Sequence, residues 1–246
     1  MDAGRGGRMS VAIDPTGIVL VSRLLSVGFT PPDDGSVEEM SVLTALAGRR
    51  ACEEGLAELL AELELALNDE GAVAQLPAEY EGLFGGAVRC PPYEGSYEAD
   101  PFRGSRQMAD LAGFYRAFGA ESSGPAAERP DHAGCELEFL SFLAARRLEA
   151  EEAGETESAA ICLEAEDAFL RDHLGRWLPA LCREVGEASS SPVYTLLAAA
   201  GERFVAAELA RRGIEPALLR RRGRRSAVEG DAFACGDAEV GPQDLS

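Results

Sequence analysis

Glu128-Arg129-Pro130-Asp131-His132 opens an apolar run from Cys135 to Leu143 and gathers the side chains of this chain best suited to chemistry. At about 100° per residue, His132 and Glu136 fall on one side of a helix, with Phe139 and Leu143 beside them. Cys135 stands one turn from His132, the spacing at which an imidazole base activates a thiolate. On an apolar face the same spacing describes a packed thiol and a His–Glu pair that satisfy each other. Pro130, whose missing N–H costs nothing in a first turn, and Asp131, suited to the positive end of a helix dipole, mark where that helix begins.

Most other chemistries fail on composition. A di-iron bundle needs two Glu-x-x-His pairs on separate helices. His132 and His173 are the only histidines, and neither has Glu three residues before it. The six cysteines (Cys52, Cys90, Cys135, Cys162, Cys182, Cys235) contain no C-x-x-C, which removes zinc and thioredoxin-like readings. Four of them sit in apolar helical contexts and read as reduced, mostly buried thiols. All 23 basic residues are Arg, so Schiff-base and phosphate-loop lysine chemistry is excluded. Neither G-x-G-x-x-G nor a nucleophile elbow is present. The expectation is a protein that is no enzyme and holds no metal or cofactor.

A net charge of −20 argues against general nucleic-acid binding, which depends on counterion-releasing cations. It suits a basic partner steered by the field, and equally a protein kept soluble in a salty cytoplasm. The start, Met1 to Arg8, lacks an apolar core of signal-peptide type, and no apolar stretch reaches the roughly 20 residues of a membrane span. A cytoplasmic location without membrane insertion is therefore expected.

Rich in Ala, Leu, Glu and Arg, the chain favours helix nearly throughout, and no alternating strand pattern survives. Helices are predicted over 17–29, 36–50 (Ser36 and Glu39 forming a capping box), 51–68, 72–84, 104–119, 131–152, 155–185 (broken near Asp172) and 192–212. Ser189 to Pro192 caps the last helix. Gly- and Pro-rich loops over 85–103 and 121–129 flank the His132 helix, a placement that favours function or motion. The expected fold is all-α: a single globular domain of about nine helices over 14–212, between a disordered 1–13 and an Arg-rich, then acidic, tail over 213–246. Within that tail, Arg220-Arg221-Arg222 and Arg224-Arg225 read as solvated or intramolecularly paired, and 226–246 as disordered.

Four stretches in order carry a resemblance across about residues 15–212. Tyr80-Glu-Gly-Leu83-Phe84 is similar to Y-x-x-L-F. Pro91-Pro92-Tyr93-Glu94-Gly95-Ser96-Tyr97 resembles P-P-Y-E-S-x-Y with one extra Gly. Glu128 to His132 followed by Glu136-Leu137-Glu138-Phe139-Leu140-type residues looks like E-x-P-D-H with its helix. Phe169 to Trp177 resembles F-L-x-x-H-L-x-x-W. Together they resemble the TorD/DmsD/NarJ family of redox-enzyme maturation chaperones, with Arg129 where many relatives carry Pro. The resemblance implies a TorD-like fold without catalysis. It also implies a client, the catalytic subunit of a molybdopterin oxidoreductase, bound as apo-protein through its N-terminal, often twin-arginine, leader. Tyr80, Leu83, Phe84, Tyr93, Glu128, Asp131, His132, Glu136, His173 and Trp177 are the residues it places at the client site. For Leu83, Phe84 and Trp177 core packing is the competing reading, and His173 reads as a satisfied polar contact. Monomer and homodimer both remain open. The rival function is a helical structural or regulatory subunit stably bound to an oxidoreductase; nucleotide or pterin binding has no phosphate-cradling motif behind it.

Overall fold

A first helix that is apolar on nearly every side must be buried from all directions. In the computed structural model, which describes residues 15–50, 54–85, 88–98, 100, 103–120 and 128–219, that helix is the centre of the molecule. The order is α1 (Pro15–Gly28), α2 (Asp34–Gly48), α3 (Glu54–Leu67), α4 (Glu70–Ala74), α5 (Leu76–Phe84), a 3₁₀ turn (Glu94–Ser96), α6 (Arg103–Ala117), α7 (Ala133–Ala153), α8 (Thr156–Phe169), a π turn (Leu170–Leu174), α9 (Gly175–Ala188) and α10 (Pro192–Arg212). Because α8, the π turn and α9 are continuous, the described residues form nine rods, an all-α fold as expected. The expectations for 1–13, 226–246, Arg220 to Arg225, Cys52, Cys235 and most of the loop over 121–129 lie outside the described residues.

Ile18, Val21, Leu24 and Leu25 of α1 are no more than 1% exposed. They pack chiefly on α7, with α2 and α10 completing the enclosure, while α3 closes against α2 and α10 and α9 lies along α10. Cys90, Cys162 and Cys182 are buried and Cys135 is half-buried, none of them in a disulfide among the described residues.

Local signals set the boundaries, several of them differently from the predicted ones. Asp33 caps α2: its carboxylate accepts the Ser36 N–H at 2.7 Å, and Ser36 Oγ accepts the Asp33 N–H at 2.7 Å. The capping box is thus Asp33–Ser36 rather than Ser36–Glu39, and Glu39 instead pairs with Arg23 of α1. An aspartate one helical turn earlier is the better cap because its charge also meets the helix dipole. The helix predicted over 72–84 is two, divided at Gln75, with Pro77 in the first turn of α5 and Asp69 capping α4. Ser191 is the N-cap of α10 and Pro192 follows it, as the sequence indicated, but no serine side chain bonds the first turn. Glu79 of α5 accepts the Ser190 and Ser191 N–H groups at 2.7 and 3.3 Å and so fixes the entry to the helix.

The break predicted near Asp172 is the π turn. Pro179 inside α9 leaves the Gly175 carbonyl, just past that turn, without its usual i+4 donor. Gly175 is required there, since a Cβ would strike the Leu170 carbonyl oxygen. Between α7 and α8, Gly154 adopts φ +73°, the left-handed cap that glycine accepts without penalty.

A dry ion-pair network ties the two ends of the helical array. Glu166 on α8 receives Arg147 of α7 and Arg212 of α10, each at 2.6 Å, and Arg212 also binds Glu208 at 2.9 Å. Glu166 and Glu208 are fully buried. Removing one partner from such a cluster strands a charge. Arg212→Met is therefore expected to cost about 3–5 kcal/mol in urea denaturation. Arg183→Ala, which removes the exposed pair with Glu202, should change stability by no more than about 1 kcal/mol.

Candidate functional site

The motif residues converge, but most of them converge inward. Leu83 and Phe84 are core: Phe84 packs among Phe29, Tyr80 and Tyr194 at ring separations of 5.0–6.0 Å. The Leu83 carbonyl accepts the N–H groups of Arg89 and Cys90, turning the chain into the following loop. Tyr80 is half-buried, and that burial pushes its hydroxyl up to about 12.

That loop docks on the segment preceding α7 as a short antiparallel bridge. The Glu94 N–H donates to the Asp131 carbonyl at 2.9 Å and the Ala133 N–H to the Pro92 carbonyl at 2.8 Å, with Tyr93 opposite His132. Extended backbone sends successive side chains to opposite faces. Tyr93 accordingly faces outward and Glu94 inward, where it is fully buried.

On the outer face, Arg129 grips Asp131 with two hydrogen bonds of 3.0 and 2.8 Å and lies 4.5 Å from the centre of the Tyr93 ring. Arg129 thus braces the segment through its side chain. Glu128 accepts the Arg129 N–H at 2.8 Å and the Tyr93 hydroxyl at 3.3 Å. Asp131, 1% exposed, also accepts the Gly95 N–H, and the Tyr115 hydroxyl donates to the Pro130 carbonyl.

His132 is the N-cap of α7, so the helix begins after the Pro130-Asp131 pair and not on it. Its Nδ1 accepts the Gly134 N–H at 3.1 Å, and its ring meets Tyr93 edge-on. The expected His132–Glu136 pair does not form, because an extended N-cap turns its side chain back onto the first helical turn. Burial lowers the imidazole below its ordinary value, outweighing the opposing pull of Glu128 and Asp131. The neutral ring this favours is the form a cap needs.

On the inner face lies a buried polar chain. Glu136 accepts the Trp177 indole N–H at 3.0 Å, and Glu94 meets His173 Nδ1 at 3.1 Å. Tyr97 packs on Trp177 at 5.4 Å. Burial above all, then the charge of Glu94, drives Glu136 well above the carboxylate range. His173 reaches a polar cavity of about 620 Å³ that Gln107, Asp110 and Arg176 also line.

Two openings flank the start of α7. An acidic cleft of about 690 Å³ lies between α1, the loop to α2 and α7, and carries Asp33, Glu39, Glu128 and Glu138 against a single Arg23. Arg23 is held by Glu39 at 2.7 Å and Glu138 at 2.9 Å. Beside it is an apolar slot of about 330 Å³ formed by Tyr115, Pro130, Phe139 and Phe142. Cys135 and Glu138 form the wall common to both. Burial pushes the Cys135 thiol up to about 11 and the His132 lone pair is occupied, so this pair is not an activated nucleophile. Among the described residues no cluster of His, Cys, Asp or Glu could hold a metal ion.

Of the ten predicted site residues, Tyr93, Glu128, Asp131 and His132 meet at the bridge, with Tyr80 nearby, while Glu136, His173 and Trp177 lie behind it. Sequence reasoning passed over Glu94 as a binding residue, and also the cleft carboxylates Asp33, Glu39 and Glu138. Glu94 stood within the quoted loop motif, but a Glu beside Gly reads locally as solvated.

The profile of the nitrate reductase delta subunit family matches residues 49–183. The perchlorate reductase assembly chaperone protein of Dechloromonas aromatica (strain RCB) is 30% identical over 204 residues, covering 77% of this chain and 87% of that protein. Chaperone protein TorD of Vibrio cholerae serotype O1 is 26% identical over 175 residues, covering 69% and 77%. The selenate reductase assembly chaperone protein of Thauera selenatis is 34% identical over 145 residues, covering 59% and 69%.

The capping role of His132 makes a stability prediction. His132→Ala should lose about 1 kcal/mol in chemical denaturation, and His132→Asn, which restores a cap, should recover most of it. Because the folded state resists protonating this ring, the unfolded chain binds the extra proton in acid. Stability should therefore fall as pH drops below 6.5, and this component should be absent from the His132→Asn variant.

Proposed function

This chain belongs to the nitrate reductase delta subunit family, the TorD/NarJ group of redox-enzyme assembly chaperones, and on that premise we propose what it holds and where. Its client is the apo form of a molybdopterin oxidoreductase catalytic subunit, bound in the cytoplasm through an N-terminal leader until cofactor insertion permits export or assembly. The observation that carries this reading is the two-part opening at the start of α7. An acidic cleft beside an apolar slot, sharing one wall, matches a leader in which Arg-Arg precedes an apolar run.

The chemistry follows from the two compartments. Guanidinium groups pair well with carboxylates at fixed positions, and Glu128 is fixed by its bonds to Arg129 and Tyr93. Aliphatic side chains gain by leaving water for a slot walled by Phe139, Phe142 and Tyr115. Asp131 and His132 are nearly fully buried, so their part is to hold the rim in place. Glu136, His173 and Trp177 support it from behind, and Leu83 and Phe84 anchor the helix that precedes the loop. Neither compartment needs a bound cofactor to work.

Calorimetric titration with a synthetic leader carrying Arg-Arg ahead of an apolar run tests the site. Glu128→Gln with Glu138→Gln should weaken binding by about 1 kcal/mol per carboxylate, roughly fivefold each in Kd. Added salt should weaken it further, and an Ala-Ala leader should bind the wild type and the double variant alike. Affinity indifferent to both the substitutions and salt would remove the cleft from the reading. Stoichiometric recovery with the mature, cofactor-loaded enzyme, rather than with the apo form, would point to a permanent subunit instead.

A further inference from the structure

Glu94 lines neither the acidic cleft nor the apolar slot, yet it is fully buried next to Tyr93, which packs on the cleft residues Glu128 and His132. Its Oε2 is occupied by His173, and Oε2 of the equally buried Glu136 is occupied by Trp177. Glu94 is the charge that Glu136 feels most strongly. What remains is Oε1 of Glu94 and Oε1 of Glu136, both buried and both without a donor. Two ionised carboxylates pressed together in a dry site repel strongly, and two orphaned acceptors forfeit their hydration. A single proton between them removes both costs.

The surrounding charges favour the same state. Asp131, 1% exposed, approaches from the segment before α7 and adds to the negative field at Glu136. Tyr115 of α6 is held un-ionised by burial and by these same carboxylates. From the π turn, His173 supplies Nδ1 to Glu94, while its Nε2 stands 3.4 Å from Asp110 of α6. Trp177 of α9 contributes a neutral donor. Arg129, the nearest guanidinium on the outer face, is already held by Asp131.

We propose that Glu94 and Glu136 share one proton at neutral pH, and that this bond fastens the loop carrying Tyr93, which braces Glu128 and His132 of the cleft, to the helical core. Glu94 is thereby a positioning residue. Backbone alternation couples it to Tyr93, and Tyr93 in turn meets His132, Arg129 and Glu128 at the cleft rim. A group whose proton is held more tightly in the folded state stabilises that state at low pH and loses the effect as pH rises through its folded value. Alkali should therefore set two charges against each other, lift the 3₁₀ turn from α7 and loosen the rim. The coupling to client affinity rests on the leader-binding reading above; the proton itself does not.

Infrared spectroscopy of the whole protein tests the proton. The wild type should show a protonated-carboxyl C=O band at neutral pH that Glu136→Gln removes; no such band overturns the proposal. Hydrogen exchange tests the fastening without any client. Between about pH 6 and pH 10, protection of the Glu94 and Ala133 amides should fall about tenfold in the wild type. It should stay level in Glu136→Gln, whose amide is a permanent neutral donor, and Glu94→Gln gives a second variant should that one misfold. Equal loss in wild type and variant overturns the fastening. The Arg-Arg leader, titrated over the same range, should lose affinity in alkali only with the wild type. If it binds at no pH, the leader-binding reading falls, while the band and the exchange rates still decide the proton.

Discussion

Two backbone hydrogen bonds, Glu94 N–H to Asp131 and Ala133 N–H to Pro92, are the constraint on which the presented surface depends. In a helical protein they form an isolated stretch of paired extended chain, and they draw a loop and a helix start, some 40 positions apart, into one edge. The pairing also fixes which side chain faces which way. Tyr93 braces Glu128 and His132 at the rim of an acidic opening, and Glu94 joins a buried polar chain that ends at Trp177. Without the pairing, the loop and the start of α7 would be separate surface features.

Polar groups inside this core serve position more than net stability. The Arg147–Glu166–Arg212–Glu208 network and the Glu94–Glu136–Trp177–His173 chain both sit where apolar residues would pack at lower desolvation cost. Each admits few alternative partners. The first joins α7, α8 and α10 in one register; the second ties the loop to α7 and to the π turn. The π turn belongs to this logic, because the widened backbone around Leu170–Leu174 carries His173 and places it against Glu94. A rigid frame behind a rim of half-exposed groups keeps that rim in one arrangement.

Much of the architecture was legible beforehand. Apolar residues at helical spacing located nearly every helix, and the break expected near Asp172 is the π turn. Errors fell at helix ends, where one cap competes with another a turn away: Asp33 displaced Ser36 at the start of α2. The pairing of His132 with Glu136 was misjudged for the same reason, since helical spacing describes two residues only if both are inside the helix. His132 stands just outside it.

Residue order and type alone determined the helical class, the absence of lysine chemistry, and the four motifs that announce the family. Those properties reside in local periodicity and composition, which no folding event can alter. Only the tertiary structure decided that Glu94 is buried while its neighbour Tyr93 faces outward, and that Glu136 answers Trp177 rather than His132. The same holds for Asp33, Glu39, Glu128 and Glu138, which gather around one opening. Those outcomes depend on contacts between segments far apart in the chain, and a carboxylate carries no local mark of which distant donor it will meet.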